Sequence, residues 1–527
     1  METTWELYEM FQALLQAPGY HLALELFLIL WLLWLLLHKS YQPDNTELTA
    51  EEKESLISEW TPEALVPKTP EDHYALKPRI VKGKLGKNVM VDGKICLNAA
   101  THNYLGFVEN PELEKEAIIG LRKYGVGSCG PRGFFGTVDI HLDLEQALAD
   151  FMGVEESVLY SYGFAAISSA IPAYSKQGDI IFCDEGVSFA IQKGLVASRS
   201  QIRFFKHNDM EDLERLFMEQ VELDHKNPRK AKVTLKFLVV EGLYMNHGDI
   251  CPLPKLIELK SKYKVRLFID ESCSFGVLGK NGRGVTEHFG IPVDELDLIV
   301  ASLENAMASY GGFCCGSSYI VDHQRLSGLG YCFSASLPPL QAAVALAALK
   351  SMKSNPEVLV TLRENARLMH KELQRIPQLS LSADEISPVK HLYIVGDYSR
   401  EEKIKKLERI VDYGYQNGIA FTVARYLDKE EHTLPAPSIR LVVNSLFEEA
   451  DVKRVADVCA EGVREKIFVT IPVRFLLSGN RPFPSPPRPL FFFPFDRPKC
   501  GNGFMRKKST DHLVRRTGTI GPFYRHI

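Results

Sequence analysis

The chain has 527 residues, 45% of them hydrophobic and 24% charged, and a mass of 59.4 kDa. This composition can bury a large core and excludes a chain that is disordered throughout. The net charge of −4 gives no chain-wide positive field, which argues against nucleic acid as a partner. Ten cysteines are spread without C-x-x-C pairs, so the pattern indicates neither a metal site nor a disulfide framework.

An almost uninterrupted apolar run occupies residues 22–37. At 1.5 Å per residue it spans about 24 Å, and residues 19–38 approach the ~30 Å of a bilayer core. A buried core helix and a cleaved signal peptide are the alternatives, but the run contains one acid, Glu25, and has neither a basic start nor a small-residue cleavage site. We therefore predict a transmembrane helix over 19–38. Because Lys39 follows the run and no Lys or Arg precedes it, the large body is expected in the cytosol.

The segments on either side of this helix are short. Aromatic and aliphatic side chains recur near helical spacing in residues 1–18, which favours an amphipathic helix at the membrane surface over a frayed end. Residues 39–84 are predicted to be a linker or N-terminal arm.

Short apolar segments rich in β-formers alternate with longer helical patterns over residues 85–338. The predicted strands are 157–160, 180–183, 202–205, 237–241, 265–270 and 298–302. The predicted helices include 142–151, 165–175, 189–198 and 254–263. This alternation predicts a large α/β domain with a doubly wound, mostly parallel sheet.

The pattern changes after residue 338. Long helical patterns at 339–354 and 356–376 precede strand-like segments at 391–395 and 439–443, which predicts a smaller α+β domain over 339–466. The last segment, 467–527, carries eleven Lys or Arg against two acids and nine of the 29 prolines. We predict that this basic tail is disordered; the alternative is a segment that binds acidic lipid headgroups.

A glycine-rich segment covers residues 124–136 and contains five glycines and Arg132. Glycine lets the backbone approach a ligand closely, and an arginine can pair with a carboxylate or phosphate. The spacing matches neither a dinucleotide fingerprint nor a P-loop, so a purely structural loop at a domain seam is an equal alternative.

Asp270 ends the predicted strand 265–270. In open α/β sheets, ligands gather outside the carboxyl ends of the strands. A buried acid there can keep a pyridinium nitrogen protonated, as pyridoxal phosphate requires, or it can simply cap the next turn.

Several motifs occur in a set order along residues 60–465. They lie at 103–106, around Arg132, at 162–165, at Asp270 with Gly276, at 282–284 and at 333–338. In this order they resemble the α-oxoamine synthases, pyridoxal-phosphate enzymes that condense an amino acid with an acyl-CoA. The resemblance implies a fold-type-I α/β transferase fold, similar to the class II aminotransferases.

Three residues depart from the family pattern. Asn305 stands where the family has the lysine that holds pyridoxal phosphate, and an amide nitrogen is not nucleophilic. Ser188 and Cys273 stand where the family has two histidines. The one lysine between 270 and 330, Lys280, belongs to a turn-like motif. We therefore predict that no residue of this chain is catalytic and that it does not hold the coenzyme alone.

Together with the membrane helix, this pattern resembles a subgroup, the long-chain-base subunits of serine palmitoyltransferase. In that subgroup a lysine-bearing partner, subunit 2 or 3, holds pyridoxal 5′-phosphate at the subunit interface, and small activating and regulatory membrane subunits are expected. The resemblance implies that this chain completes the partner's site. The candidate residues for reaching the coenzyme across the interface are Cys129, Arg132, Ser334, Ser336 and Asp270. For Cys129, packing against the partner competes with a neutral surface position.

The predicted function is that of a non-catalytic, single-pass subunit in the endoplasmic reticulum membrane. The complex would condense L-serine with palmitoyl-CoA to 3-oxosphinganine in sphingolipid synthesis. The alternative is a non-enzymatic scaffold or regulatory protein that has kept the fold alone. A soluble, self-sufficient synthase ranks third, because Asn305 and residues 22–37 argue against it.

Overall fold

The computed structural model describes residue 12 and residues 18–38, 48–71 and 73–466. The chain divides into two compact units, the first ending at Val81 and the second beginning at Lys82. Most of the predicted amphipathic segment and the whole basic tail lie outside the described residues, so both predictions stay open.

Two α-helices of the first unit can be given bounds within its described residues, α1 (Gly19–Leu37) and α2 (Ala50–Glu59). α1 confirms the predicted helix at 19–38, and none of its residues is buried. Among the described residues it is the one helix that is long and apolar enough to cross a membrane. α2 begins with a capping box, in which Thr49 Oγ1 accepts from the Glu52 amide at 3.3 Å and the Glu52 carboxylate accepts from the Thr49 amide at 2.9 Å.

The second unit alternates strands and helices. Its helices are α3 (Pro111–Tyr124), α4 (Asp139–Met152), α5 (Gly163–Tyr174), α6 (Phe189–Ser198), α7 (Met210–Lys226), α8 (Pro228–Ala231), α9 (Leu253–Tyr263), α10 (Val285–Phe289), α11 (Ser318–Ser327), α12 (Leu329–Cys332), α13 (Pro339–Ser354), α14 (Glu357–Leu373), α15 (Arg400–Gln416) and α16 (Glu449–Lys466). A two-residue strand, β1 (Val81–Lys82), lies at the division between the units. The remaining strands are β2 (Asn88–Val91), β3 (Lys94–Asn98), β4 (Glu156–Tyr160), β5 (Ile180–Asp184), β6 (Gln201–Phe205), β7 (Lys236–Glu241), β8 (Arg266–Asp270), β9 (Leu298–Ser302), β10 (Gly312–Gly316), β11 (Leu379–Ser382), β12 (Val389–Ile394), β13 (Ile419–Ala420), β14 (Thr422–Val423) and β15 (Ile439–Val442).

A seven-stranded sheet forms the centre of the second unit, in the order β4-β10-β9-β8-β7-β5-β6. Strands β6, β5, β7, β8 and β9 pair in parallel, and β10 runs antiparallel to both β9 and β4. Every residue of β5 and β9 is buried, as expected for strands covered by helices on both faces. The predicted mostly parallel sheet is therefore confirmed.

A smaller antiparallel sheet, in the order β11-β12-β15-β14, has its own hydrophobic core with α14, α15 and α16. This fits the α+β pattern predicted for the later part of the chain. The long helix α13 packs instead on α3 and α4, and its buried residues belong to the core of the large sheet. The predicted domain boundary at 338/339 stays a prediction.

Candidate active site

Two buried carboxylates end neighbouring parallel strands. Glu241 closes β7 and Asp270 closes β8, and the two residues pair in register. The Asp270 carboxylate accepts from the Ser272 amide at 2.9 Å, and the Glu241 carboxylate accepts from the Met245 amide at 3.0 Å and from the Ser188 amide. Burial raises the pKa of both carboxyls, and for Glu241 the neighbouring Asp270 raises the pKa further. The predicted strand-end acid thus has a second acid beside it on the neighbouring strand, and burial favours the protonated form of both.

Asn305 lies just beyond the end of β9, next to the turn that follows Asp270. Its side-chain amide donates to the Ser272 carbonyl at 2.8 Å and contacts Cys273 Sγ at 3.9 Å. Its backbone carbonyl accepts from the Tyr104 amide at 3.2 Å. The structure therefore brings two of the three departures from the family pattern, Asn305 and Cys273, into contact.

The N-terminus of α5 faces the same edge. No side chain of its first turn caps it, and the N-cap residue Tyr162 makes no such bond. Instead Glu304 Oε1 accepts from the Gly163 amide at 3.1 Å. A Cβ atom on Gly163 would lie 2.7 Å from Ser302 Oγ, so α5 approaches the end of β9 as closely as glycine allows.

A charged cluster that the sequence analysis missed lies beyond the ends of β5 and β6. His207 Nδ1 contacts the Asp184 carboxylate at 2.8 Å, and His207 Nε2 contacts the Asp249 carboxylate at 2.9 Å. Burial lowers the pKa of His207, but the bonds to the two carboxylates outweigh it and raise the pKa to about 10. The useful signal was a histidine two residues after a predicted strand, at the edge where ligands gather.

Arg440 was also missed, although an arginine inside the apolar strand β15 is an informative signal. Burial and the charge of Arg440 lower the pKa of His102 to about 3, and burial is likewise the largest cause that lowers the pKa of His391 to about 4. His102 Nδ1 contacts the Tyr104 hydroxyl at 2.8 Å. Within the described part of the chain, Arg440 Nε and His102 Nε2 have no hydrogen-bond partner. A guanidinium with an unused donor can bind a carboxylate.

Arg132, in the glycine-rich segment, is buried and paired within the chain. Its guanidinium makes a bidentate contact with the Glu145 carboxylate of α4, at 2.7 and 3.0 Å, and Nε donates to Thr137 Oγ1 at 2.9 Å. The same carboxylate accepts from the Leu159 amide of β4 at 2.9 Å. Arg132 thus fastens the glycine-rich segment to the large sheet.

The segment at 334–337 is tied to the glycine-rich segment. The Ser336 amide donates to the Gly130 carbonyl at 2.9 Å, and its hydroxyl donates to the Gly136 carbonyl. Ser334 Oγ donates to the Gly330 carbonyl and lies 3.3 Å from Ser161 Oγ. The structure therefore brings Arg132, Ser334 and Ser336 into one region, while Asp270 belongs to the strand edge described above.

The outer side of this region carries large apolar side chains. Phe134 is 68% exposed, Phe135 fully exposed and Phe333 77% exposed. Cys129 is exposed too, and it shares with Phe135 a left-handed backbone, with φ of 56° and 63° respectively. We call the surface formed by Phe134, Phe135 and Phe333 the aromatic loop surface. Such a cluster on an otherwise well-packed unit indicates an interaction site.

Comparison with known proteins places this geometry in a family. Residues 94–458 match the family model described as aminotransferase class I and II. The chain is 43% identical to long chain base biosynthesis protein 1b of Oryza sativa subsp. japonica, covering 83% of this chain and 90% of that protein. It is also 43% identical to serine palmitoyltransferase 1 of Dictyostelium discoideum, with 81% and 90% covered.

Among solved structures, the chain resembles a serine palmitoyltransferase from S. paucimobilis with a bound PLP–myriocin aldimine. The TM-score is 0.65 at 25% identity, covering 72% of this chain and 90% of that one. The chain therefore belongs to the serine palmitoyltransferase 1 family of acyltransferase subunits, within the pyridoxal-phosphate-dependent aminotransferase fold.

The residues present do not fit a covalently held coenzyme in this chain. The side chain of Asn305, beyond β9, is an amide that already donates to the Ser272 carbonyl. The first backbone amide of α5 donates to the Glu304 carboxylate. Asp270 closes the strand next to β9, and the described turn 302–312 that follows β9 contains no lysine.

Proposed function

We propose that this chain is a non-catalytic subunit of a serine palmitoyltransferase, which works only together with a lysine-bearing partner of the same fold. The single observation that carries the proposal is Asn305, whose amide is held by the Ser272 carbonyl at the strand edge. An amide cannot form a covalent bond with an aldehyde coenzyme at this position. The partner and the reaction are inferred from the family to which the chain belongs.

The complex condenses L-serine with palmitoyl-CoA to 3-oxosphinganine, with loss of CO₂ and CoA. Pyridoxal phosphate, held by the partner, supplies the electron sink that this condensation requires. The contributions of this chain are anchoring, pairing and shaping of the partner's site.

The aromatic loop surface supports the pairing. Three exposed phenylalanine rings beside a hydrogen-bonded loop offer the apolar centre that stable interfaces share. The lysine-bearing subunit 2 or 3 is the proposed occupant, and small activating and regulatory membrane subunits complete the assembly.

Five residues are proposed to shape the partner's site: Cys129, Arg132, Ser334, Ser336 and Asp270. The internal pairing of Arg132 with Glu145 gives it a positioning role, in which it sets the loop rather than reaching across the interface. Cys129 is exposed and can contact the partner directly.

Helix α1 is proposed to anchor the chain in the endoplasmic reticulum membrane, with the large domain in the cytosol. All of its described side chains are exposed, and almost all of them are apolar. A membrane position suits an enzyme whose acyl substrate and product are both long-chain lipids.

Expression of the full chain alone, of the partner alone and of the pair tests the proposal. Visible absorbance of bound pyridoxal and the keto-lipid product are expected with the pair. Replacing the partner's lysine by alanine is expected to abolish product, whereas Asn305→Ala in this chain leaves it unchanged. Product from this chain alone would contradict the proposal.

The scaffold alternative is separated by Phe333→Ser on the aromatic loop surface. Tyr319→Ser is the matched control, because Tyr319 is 69% exposed and does not belong to the aromatic loop surface. We expect Phe333→Ser to lower product formation by the pair while the control has no effect. Full activity of the pair with Phe333→Ser would contradict the contact at this surface, and as much product from the partner alone as from the pair would favour the scaffold.

A further inference from the structure

The N-terminus of α5 is built like a phosphate site but is already filled. We propose that the Glu304 carboxylate takes the place of the coenzyme's phosphate group in this chain, so that the chain rejects pyridoxal phosphate for a second reason besides the missing lysine. This inference rests on the proposed function only for the identity of the excluded group.

The N-terminus of α5 lies at the edge of the sheet where α/β folds bind ligands. The helix begins three residues after β4, at the carboxyl edge of the large sheet. Helix N-termini at this edge bind phosphate, because their first amides are unpaired and the helix dipole favours negative charge. The α5 N-terminus is also next to Ser302, the last residue of β9, and therefore close to the Asn305 position.

The first amide of α5 is already hydrogen-bonded to the Glu304 carboxylate. Glu304 Oε1 lies 3.1 Å from the Gly163 amide nitrogen, and the Glu304 amide donates to Ser302 Oγ at 3.0 Å. The turn after β9 is thereby folded so that its carboxylate points at α5. An incoming phosphate would need the same amide and would meet a like charge at hydrogen-bonding distance, which is unfavourable even near water.

The contact differs from an ordinary helix cap. In α15 the acid Glu402 caps its own helix, three residues from the N-cap residue Ser399. In α5 the acid comes from a residue 141 positions further along the chain, directly before Asn305. The Glu304 side chain is exposed, so a dissolved anion can reach the amide once the carboxylate is removed.

The test compares two aldehydes that differ only in the phosphate group. Three full-length chains are purified without a partner: Asn305→Lys, Glu304→Ala with Asn305→Lys, and Glu402→Gln with Asn305→Lys as the control for loss of an acid at another helix N-terminus. Binding of pyridoxal 5′-phosphate and of pyridoxal is followed by absorbance. The double variant with Glu304→Ala and Asn305→Lys is expected to bind pyridoxal 5′-phosphate about tenfold more tightly than the single variant Asn305→Lys. The two variants are expected to bind pyridoxal equally tightly.

A second measurement does not require a lysine. It uses the single variants Glu304→Ala and Glu402→Gln, both with Asn305 in place, and the unaltered chain. Inorganic phosphate is expected to raise the thermal midpoint of Glu304→Ala and to leave the midpoints of the other two chains unchanged. The proposal is overturned if Asn305→Lys alone binds pyridoxal phosphate as tightly as the double variant, or if pyridoxal or the Glu402 control shows the same gain. If no chain binds either aldehyde, absence of the phosphate effect on the midpoint overturns it. None of these results measures activity of the pair, so the exclusion can fail while the proposed partner dependence stands.

Discussion

Buried carboxylates have different partners at the carboxyl edge of the large sheet and in the glycine-rich segment. At the edge, Asp270 and Glu241 are buried without a cation within bonding distance among the described residues, and burial raises the pKa of both carboxyls. In the glycine-rich segment, the buried carboxylate of Glu145 is matched by the Arg132 guanidinium, and the aromatic loop surface faces outward. The edge therefore holds acids that favour the protonated form, whereas a buried ion pair fastens the loop beneath exposed apolar side chains. The difference indicates that pH should act on the edge, whereas loss of either charged partner should act on the loop.

The largest effect is expected from breaking the buried pair in the glycine-rich segment. Arg132→Ala leaves Glu145 charged and unpaired, which should lower the free energy of unfolding by about 3–5 kcal/mol. Arg132→Met with Glu145→Gln removes both charges and keeps an acceptor for the Leu159 amide, so it should cost much less. Thermal unfolding of the purified chain measures both. Unchanged stability in Arg132→Ala would show that the loop is not held in this way.

A pH effect is expected at the edge. Burial raises the pKa of Glu271, which follows Asp270, from an ordinary 4.5 to about 7. Between these values the unfolded chain releases the proton first, so stability falls as pH rises, by up to about 3 kcal/mol. Glu271→Gln should therefore flatten the decline of the thermal midpoint from pH 4.5 to 7. The exposed Glu258→Gln is the control, and an equally steep decline in both variants would refute the assignment.

A smaller loss is expected where α5 meets β9. Gly163→Ala places a Cβ atom 2.7 Å from Ser302 Oγ, and such overpacking typically costs about 1–3 kcal/mol. Gly127→Ala is the matched control, because nothing lies within 4 Å of its added Cβ. The difference in thermal midpoint between the two variants measures the crowding. Equal midpoints would mean that the edge is less tightly built than the contact distances indicate.

The smallest effect is expected on the aromatic loop surface. Phe135 has a left-handed backbone, so Phe135→Gly should relieve about 1 kcal/mol of backbone strain. Phe134→Gly removes a neighbouring exposed ring at a φ of −126°, where no such relief is available. Phe135→Gly should therefore raise the thermal midpoint of the isolated chain relative to Phe134→Gly. Both variants should weaken pairing with the partner.

The sequence predicted the large sheet well because its strands are buried on both faces and therefore appear as continuous apolar runs. Strand β10 was missed, since Gly-Phe-Cys-Cys-Gly offers neither alternation nor a run of β-branched residues. Its position as the antiparallel strand between β4 and β9 depends on a long-range pairing that no local pattern encodes.

Parts of the site were predictable where the type of a single residue in a motif is informative by itself. Motif order alone predicted that the Asn305 amide and the Asp270 acid lie at the same sheet edge, as the structure has them, while their roles toward a coenzyme stay predictions. The partners of those groups could not, because Glu145 for Arg132 and Glu304 for Gly163 are chosen by the tertiary arrangement. Arg440 gave a local signal as an arginine in an apolar strand, but its unused donor becomes visible only once its neighbours are placed.

The three phenylalanines at 134, 135 and 333 have a consequence for how the isolated chain behaves in solution. Their rings are exposed to water, and clustered apolar side chains of this kind promote self-association. The purified chain is therefore expected to aggregate more readily on heating than a variant with serine at these three positions.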